Sequence, residues 1–369
     1  MVATLTRRDV LSFRVRAQQL DRDDGTLDDT AVLDLGVQDT GPDGARWALA
    51  IRGVDTSTIA DEDLAVLWTL RGAPHVYRRS DLPSIAAAVE PMSDADAGRR
   101  IYDAAKPLKA AGIGNLEALD TIASAIGSAV AHPTVKGEVS TRVSAELGGP
   151  YVRFCRPCNA THLYEMPFRL AAFRGGLELQ PGTSPPVLQR ITSHRVATRP
   201  RPEHDVIRAY LHLLGPATPK QVSGYVEAPV KEITERWPSD AIEVVVDGET
   251  RWVLGDDHDL LGAGRTTTTT TTRLLGPFDL FLQARDRELL IGDKAHAKAL
   301  WPVLGRPGAV LESGEIIGTW RPRSSGRSLT IAVELWGTAS AGRRKRLTAE
   351  AERLAAHRGV SLKAVDVRT

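Results

Sequence analysis

A chain of 369 residues, 42% hydrophobic and 25% charged, is long enough for two or three packed units, which excludes a single small core. Its formal charge of +1 excludes a whole-molecule field that would draw it onto phosphates, so any nucleic-acid binding must come from local basic patches. The sequence has two cysteines, Cys155 and Cys158, no apolar signal-peptide run at its start and no apolar stretch of about 18 residues, so a cytoplasmic location away from membranes is expected.

Thr6 can cap a helix from Arg7 to Leu20. Asp28 to Leu35 is expected to continue helical, and Pro42-Asp43-Gly44 turns into a helix from Ala45 to Ile51. Leu64 to Thr69 is strand-like, Arg71-Gly72-Ala73-Pro74 turns, and His75 to Arg78 returns, so this stretch reads as helices followed by a β-wing. Ser80 caps Asp81 to Val89, and Ser93 begins a longer helix. Asn115 to Ala129 carries Leu116, Leu119, Ile122, Ala123 and Ile126 at helical spacing. Lys136 to Leu147, with Lys136, Arg142 and several hydroxyls, has the composition of a middle recognition helix ending at Gly148-Gly149.

The helix-and-wing order is clearest between residues 202 and 255. Asp205 to Leu214 places Val206, Ile207, Tyr210, Leu211 and Leu214 on one face, and Gly215-Pro216 stops it. Thr218 with Pro219 starts a second helix to Tyr225, Pro229 opens a third to Trp237, and the strands Ile242 to Val246 and Arg251 to Leu254 flank Asp247-Gly248-Glu249-Thr250. Three short helices and a hairpin make a winged helix, whose third helix can enter a major groove. That helix carries Lys231, Glu232, Glu235 and Arg236 and is not notably basic, so a protein-binding spacer is the competing reading.

Beyond the wing, the threonines from Thr266 to Thr272 favour an extended form. Short β-rich runs follow at Leu289-Leu290-Ile291, Ala309 to Leu311, Ile316 to Trp320 and Leu329 to Val333, then a helix from Leu347 to His357 and a strand from Val360 to Val367. The expected fold class is α+β: a winged helix over residues 1–90, a second helical or winged-helix unit over 91–200, a third winged helix over 201–260, and a β-rich C-terminal α+β domain over 261–369.

Cys155-Arg156-Pro157-Cys158 with His162 offers three zinc ligands at most, and no second cysteine pair completes a tetrahedron, so two half-buried thiols are expected and no metal or cofactor. The basic residues Arg321, Arg323 and Arg327, with Ser324, Ser325 and Gly326 between them, read equally as a solvated face or as a grip on backbone phosphates. The stretch Val32 to Pro42 places an amide and a carboxylate, Gln38 and Asp39, beside Gly and Pro where a helix must end; capping of the next helix by Asp39 and Thr40 is the plain structural alternative.

At these residues the chain resembles the AlkZ and YcaQ-like DNA glycosylases, a family with tandem winged helices. The likeness runs through Leu35-Gly36-Val37-Gln38-Asp39, Trp68-Thr69-Leu70-Arg71-Gly72 with His75, Pro277-Phe278-Asp279 before Arg285-Asp286-Arg287, and Gly305-Arg306-Pro307-Gly308 leading to Gly318-Thr319-Trp320-Arg321-Pro322-Arg323. Family members carry a Gln, an apolar residue and then Gln or Asp, which hold the water that attacks the anomeric carbon. Aligned through Leu35, this chain reads Gly36-Val37-Gln38, keeping the second polar position and losing the first.

The resemblance implies monofunctional excision of N7-alkylated purines, extending to bulky adducts or crosslinks. Gln38 would position water, Asp39 would act as electrostatic partner, and Asp34 and His75 would support them. A cationic N7-alkylated base leaves without a general acid, and no lysine in the segment suggests a Schiff base. Lys136, Arg142, Arg321, Arg323 and Arg327 are expected on phosphates of double-stranded, alkylated DNA, bound by a monomer. A non-catalytic winged-helix DNA-binding protein, either a regulator or a damage-shielding resistance factor, is the main rival, and an adaptor that binds only protein is a third reading.

Overall fold

Buried residues alternate along Ser328–Leu335, at Leu329, Ile331, Val333 and Leu335, so this strand turns one face into a core. It lies in a five-stranded sheet ordered Thr272–Leu275, Gly308–Glu312, Glu315–Ser325, Ser328–Leu335, Ser361–Arg368; the pairs are antiparallel except the last, which is parallel. A parallel pair needs a crossover. Helix Ala341–His357 supplies it, burying Leu347, Ala351, Leu354 and Ala355. Gly308 must lack a side chain, because a Cβ there would sit 2.2 Å from Trp320 Nε1, and that indole donates instead to the Leu275 carbonyl at 2.8 Å.

The computed structural model describes residues 2–41, 43–262 and 271–369. They divide into two compact units, each built from separated segments. The first draws on Met1–Ile59, Tyr210–Gln221 and Pro238–Thr369, the second on Ala60–Ala209 and Val222–Trp237. Of the threonine run, residues 266–270 lie outside the described residues, and Thr272 opens a strand.

In the first unit, helix Arg7–Ala17 is closed by a capping box in which Thr6 and Asp9 satisfy each other's backbone amides. The hairpin Ala241–Val246 and Glu249–Leu254 turns at Asp247 and Gly248, with φ of 50° and 81°, the pair of left-handed residues that a tight hairpin needs. The N-terminal strand Ala3–Leu5 lies parallel against Ala241–Val246 and makes this a three-stranded sheet. The helix expected over Asp28 to Leu35 shrinks to Val32–Leu35. Thr26 and Asp29 exchange side-chain hydrogen bonds with each other's amides, at 2.9 and 3.3 Å, and this local pairing competes with the helix. Leu289-Leu290-Ile291 is not a strand either. Arg287–Leu290 forms a helical turn, since three apolar residues carry no period that separates the two states.

In the second unit, strands Pro74–Arg78, Leu64–Trp68, Leu177–Leu179, Val187–Arg190 and Thr134–Val135 lie side by side in that order, all antiparallel. The hairpin of residues 64–78 forms as expected, but it is no free wing: Val66 pairs onward with Leu179. Helices Asn115–Ala129 and Glu165–Arg174 approach closely at their glycines, where a Cβ on Gly175 would fall 2.6 Å from the Ala123 carbonyl. The fold is mixed α and β, with helices and several sheets. No helix among the described residues is long and apolar enough to cross a membrane.

Candidate active site

Helix Val32–Leu35 ends at Gly36, whose φ of 89° and ψ of 136° lie where side-chain-bearing residues are strained. The extended pair Val37–Gln38 follows, with Val37 buried and Gln38 half-buried. The position lost from the Gln-apolar-Gln pattern is therefore one where this backbone favours glycine. Restoring the amide by Gly36→Gln is expected to cost about 1–3 kcal/mol, read as a lower urea midpoint; an unchanged midpoint would show that the backbone relaxes freely.

Gln38 Nε2 donates to Thr40 Oγ1 at 3.1 Å, and no hydrogen bond among the described residues engages its Oε1. Asp39 performs the capping role. Its Oδ1 accepts the Ala45 amide at 2.9 Å at the start of helix Gly44–Ala50. Gly44, at φ 43°, makes room for it, because a Cβ would come within 1.9 Å of that oxygen. One carboxylate oxygen is thus committed to the helix. Asp34 lies half-buried, and its charge acts on His212. Burial disfavours the His212 imidazolium, but the hydrogen bond it donates to Asp257 and the charges of Asp257 and Asp34 outweigh that and raise its pKa.

Gln38 lines a small hollow with Thr40, Trp47, Pro277, Phe278 and Asp279. Two interactions fix its walls. Trp47 Nε1 donates to the Leu274 carbonyl at 2.7 Å, and Asp279 binds the Arg52 guanidinium through both oxygens at 2.8 and 3.0 Å, with the two side chains 0–1% exposed. All the remaining Arg52 donors are used, on Gln18 O, Ala48 O and Gln18 Oε1. Asp279 also accepts the Phe281 amide at 3.0 Å and so shapes the turn that presents Phe278.

Three arginines gather around that turn. The Arg306 guanidinium lies 5.0 Å from the Phe278 ring centroid and that of Arg287 lies 4.8 Å from the Trp301 ring. Partial burial lowers the pKa of Arg306, and the charge of Arg285 lowers it further; Arg287 is lowered by burial and then by Arg306. The intervening acid, Asp286, is occupied by Arg14 at 2.8 Å and Arg251 at 2.6 Å. No ion pair among the described residues neutralises Arg287 or Arg306. Crowded cations of this kind attract an anion.

The family model described as DNA glycosylase AlkZ-like matches residues 32–357, a span holding Gln38, the Phe278 turn and the arginines around it. The chain belongs to the AlkZ-like DNA glycosylase family. Streptomyces sahachiroi DNA glycosylase AlkZ, a solved structure, is similar over 100% of both chains with a TM-score of 0.74 at 21% identity, a likeness of fold. No curated protein matches the chain. Membership of a DNA glycosylase family implies DNA binding.

In this AlkZ-like protein His75 is fully buried in the second unit. Its Nδ1 lies 2.9 Å from the Ala73 carbonyl and 3.2 Å from Thr69 Oγ1, and burial, with Arg71 adding to it, pushes its pKa down to about 3. Its Nε2 is buried with no hydrogen-bond partner among the described residues. Lys136 binds both oxygens of Glu165 at 2.7 and 2.8 Å, and Arg142 is held by Glu138 and by the Ala129 carbonyl at 3.0 Å. Arg321 donates to the Gly305 carbonyl at 2.6 Å. Arg323 and Arg327, at the exposed tip of the hairpin Glu315–Ser325 and Ser328–Leu335, engage no ion pair among the described residues.

Cys155, Cys158 and His162 come together on the hairpin Val152–Cys155 and Ala160–Leu163, against the expectation of two thiols with no metal. Hydrogen bonding from the Cys158 backbone, and then from the His162 and Cys158 side chains, lowers the Cys155 thiol pKa. Arginines 287 and 306 were also missed. The available signal was that Arg285-Asp286-Arg287 and Arg306 offer a single acid to three guanidiniums.

Proposed function

We propose that this AlkZ-like protein hydrolyses the N-glycosidic bond of N7-alkylated purines in duplex DNA, leaving an abasic site. Bulky adducts and interstrand crosslinks fall within its range, because cleaving the same bond unhooks them. The observation that carries this reading is Gln38: a half-buried amide whose nitrogen is tied to Thr40 and whose oxygen is available to accept a hydrogen bond from water, at the wall of a hollow bounded by Trp47 and Phe278. The cationic base departs without a proton donor, so the enzyme has only to hold water and tolerate positive charge on the sugar. Asp39 fixes the turn that carries Gln38, and Asp34 supplies negative charge nearby in the chain.

Purified protein is expected to release 7-methylguanine from methylated duplex and to leave sites sensitive to abasic-site cleavage. Binding that falls with salt but releases no base would instead support a non-catalytic, damage-shielding role, which Gly36 in the first motif position favours.

Arg287 and Arg306 are assigned to phosphates, with Arg321, Arg323 and Arg327 extending the contact and Lys136 and Arg142 contributing once freed from their glutamates. Val303 and Leu304, 99% and 86% exposed just before Arg306, present an apolar tip suited to wedging between base steps. Arg287→Ala and Arg306→Ala are each expected to reduce the slope of log affinity against log salt by about one unit. Leu304→Ala is expected to weaken binding with the slope intact. Equal slopes in all three variants would remove the arginines from the interface.

A further inference from the structure

We propose that Cys155, Cys158 and His162 bind a zinc ion that clips the hairpin Val152–Cys155 and Ala160–Leu163, with water in the fourth position. The ligand atoms all lie within 4.8 Å of one another. A tetrahedral zinc with bonds of about 2.0–2.3 Å holds its ligands roughly 3.5–4 Å apart, so small side-chain rotations close the site.

The backbone is already shaped for this. Asn159, directly after Cys158, has a φ of 48°, and its amide bonds the Arg156 carbonyl at 3.2 Å, folding Cys-Arg-Pro-Cys into a turn that points both thiols to one end of the hairpin. Register puts Cys155 opposite Ala160 and Arg153 opposite His162, so Cys155 and His162 share a face at neighbouring positions of the ladder. His162 is oriented as well. Its Nδ1 lies 2.7 Å from the Leu163 carbonyl, and in the tautomer that donates this bond the lone pair is on Nε2, as in metal-bound histidines held by a carbonyl.

A two-stranded hairpin is marginal alone. This one is tied to its surroundings by the Leu163 amide on Ser144 Oγ, at 2.9 Å, and by Arg153 over the Tyr164 ring, at 5.4 Å. Neither interaction fixes the far end, where the cysteines are. Glu165 is held by Lys136 and Arg169 and is not among the clustered ligands, so the proposal gives the fourth position to water. The site lies in the second unit and does not depend on the glycosylase reading.

Full-length protein purified under reducing conditions is expected to contain stoichiometric zinc by elemental analysis. Exchange for Co²⁺ is expected to produce a thiolate-to-cobalt charge-transfer band and the intense visible bands of a tetrahedral centre. His162→Ala should weaken zinc binding at least ~10-fold, and Cys155→Ser with Cys158→Ser should abolish the charge-transfer band. Hydrogen exchange in the hairpin should accelerate on chelation while DNA binding persists. Reduced wild-type protein with neither zinc nor a cobalt band overturns the proposal, as does a charge-transfer band that survives loss of both thiols. So does a Cys155–Cys158 disulfide that forms readily but yields no metal uptake once reduced.

Discussion

Gln38→Ala is expected to slow release of an N7-alkylated purine on the order of 10²- to 10³-fold, about 3–4 kcal/mol, with duplex affinity at fixed salt unchanged. The size follows from what the amide is asked to do. With a leaving group already cationic, bond breaking needs little help, and the enzyme's advantage lies in a water held ready as positive charge develops on the sugar. Removing the acceptor leaves that water to diffuse. Thr40→Val keeps Gln38 but frees its nitrogen from the 3.1 Å bond, so a smaller loss of the same kind is expected. Asp39→Asn tests a different role: an asparagine oxygen can still cap the Ala45 amide, so a large loss of rate with intact stability would place the charge of Asp39 in the reaction. Single-turnover kinetics on methylated duplex, corrected for spontaneous depurination, measure all three. If Gln38→Ala retains the wild-type rate, the water-positioning assignment fails.

Much of this chain is legible wherever a local rule governs. Thr6 announces the first helix, the spacing from Leu116 to Ile126 announces another, and Asp247-Gly248 announces a hairpin that forms with both residues left-handed. What the sequence hides is partnership. Nothing in Ala3–Leu5 says that it will lie against Ala241–Val246, and nothing in Leu64–Trp68 says that its neighbour beyond Pro74–Arg78 is Leu177–Leu179. The expected first wing therefore proved to be part of a larger sheet.

The candidate site divides the same way. Gln38 and the capping alternative for Asp39 are readable from a helix ending among Gly and Pro. The Pro277-Phe278-Asp279 stretch is visible as a motif, but the guanidinium that satisfies Asp279 lies far away in sequence at Arg52, and charge pairing across such a distance leaves no periodic trace. Lys136 finds its partner Glu165 29 residues away, whereas Glu138 and Arg142 pair within one helix at i,i+4, a spacing that the sequence does carry. Arg287 and Arg306 stand out only in space, where Asp286, the single acid set among three guanidiniums, is taken by Arg14 and Arg251.

Arg52→Met and Asp279→Ala are each expected to destabilise the first unit by about 3–5 kcal/mol, the cost of stranding one partner of a desolvated ion pair. Both side chains are almost completely enclosed, so water cannot repair the loss. Asp279→Ala should be the more damaging. It leaves a buried guanidinium uncompensated and also removes the acceptor for the Phe281 amide. Asp279→Asn retains that acceptor and should fall below it. Combining Arg52→Met with Asp279→Leu removes both charges and should recover much of the deficit, because the pair's contribution lies chiefly in each charge requiring the other. Denaturant unfolding followed by fluorescence, with Trp47 buried beside the pair, measures the series. Losses below about 1 kcal/mol in both single variants would mean that solvent reaches this pair and that it does not hold the Phe278 wall of the hollow.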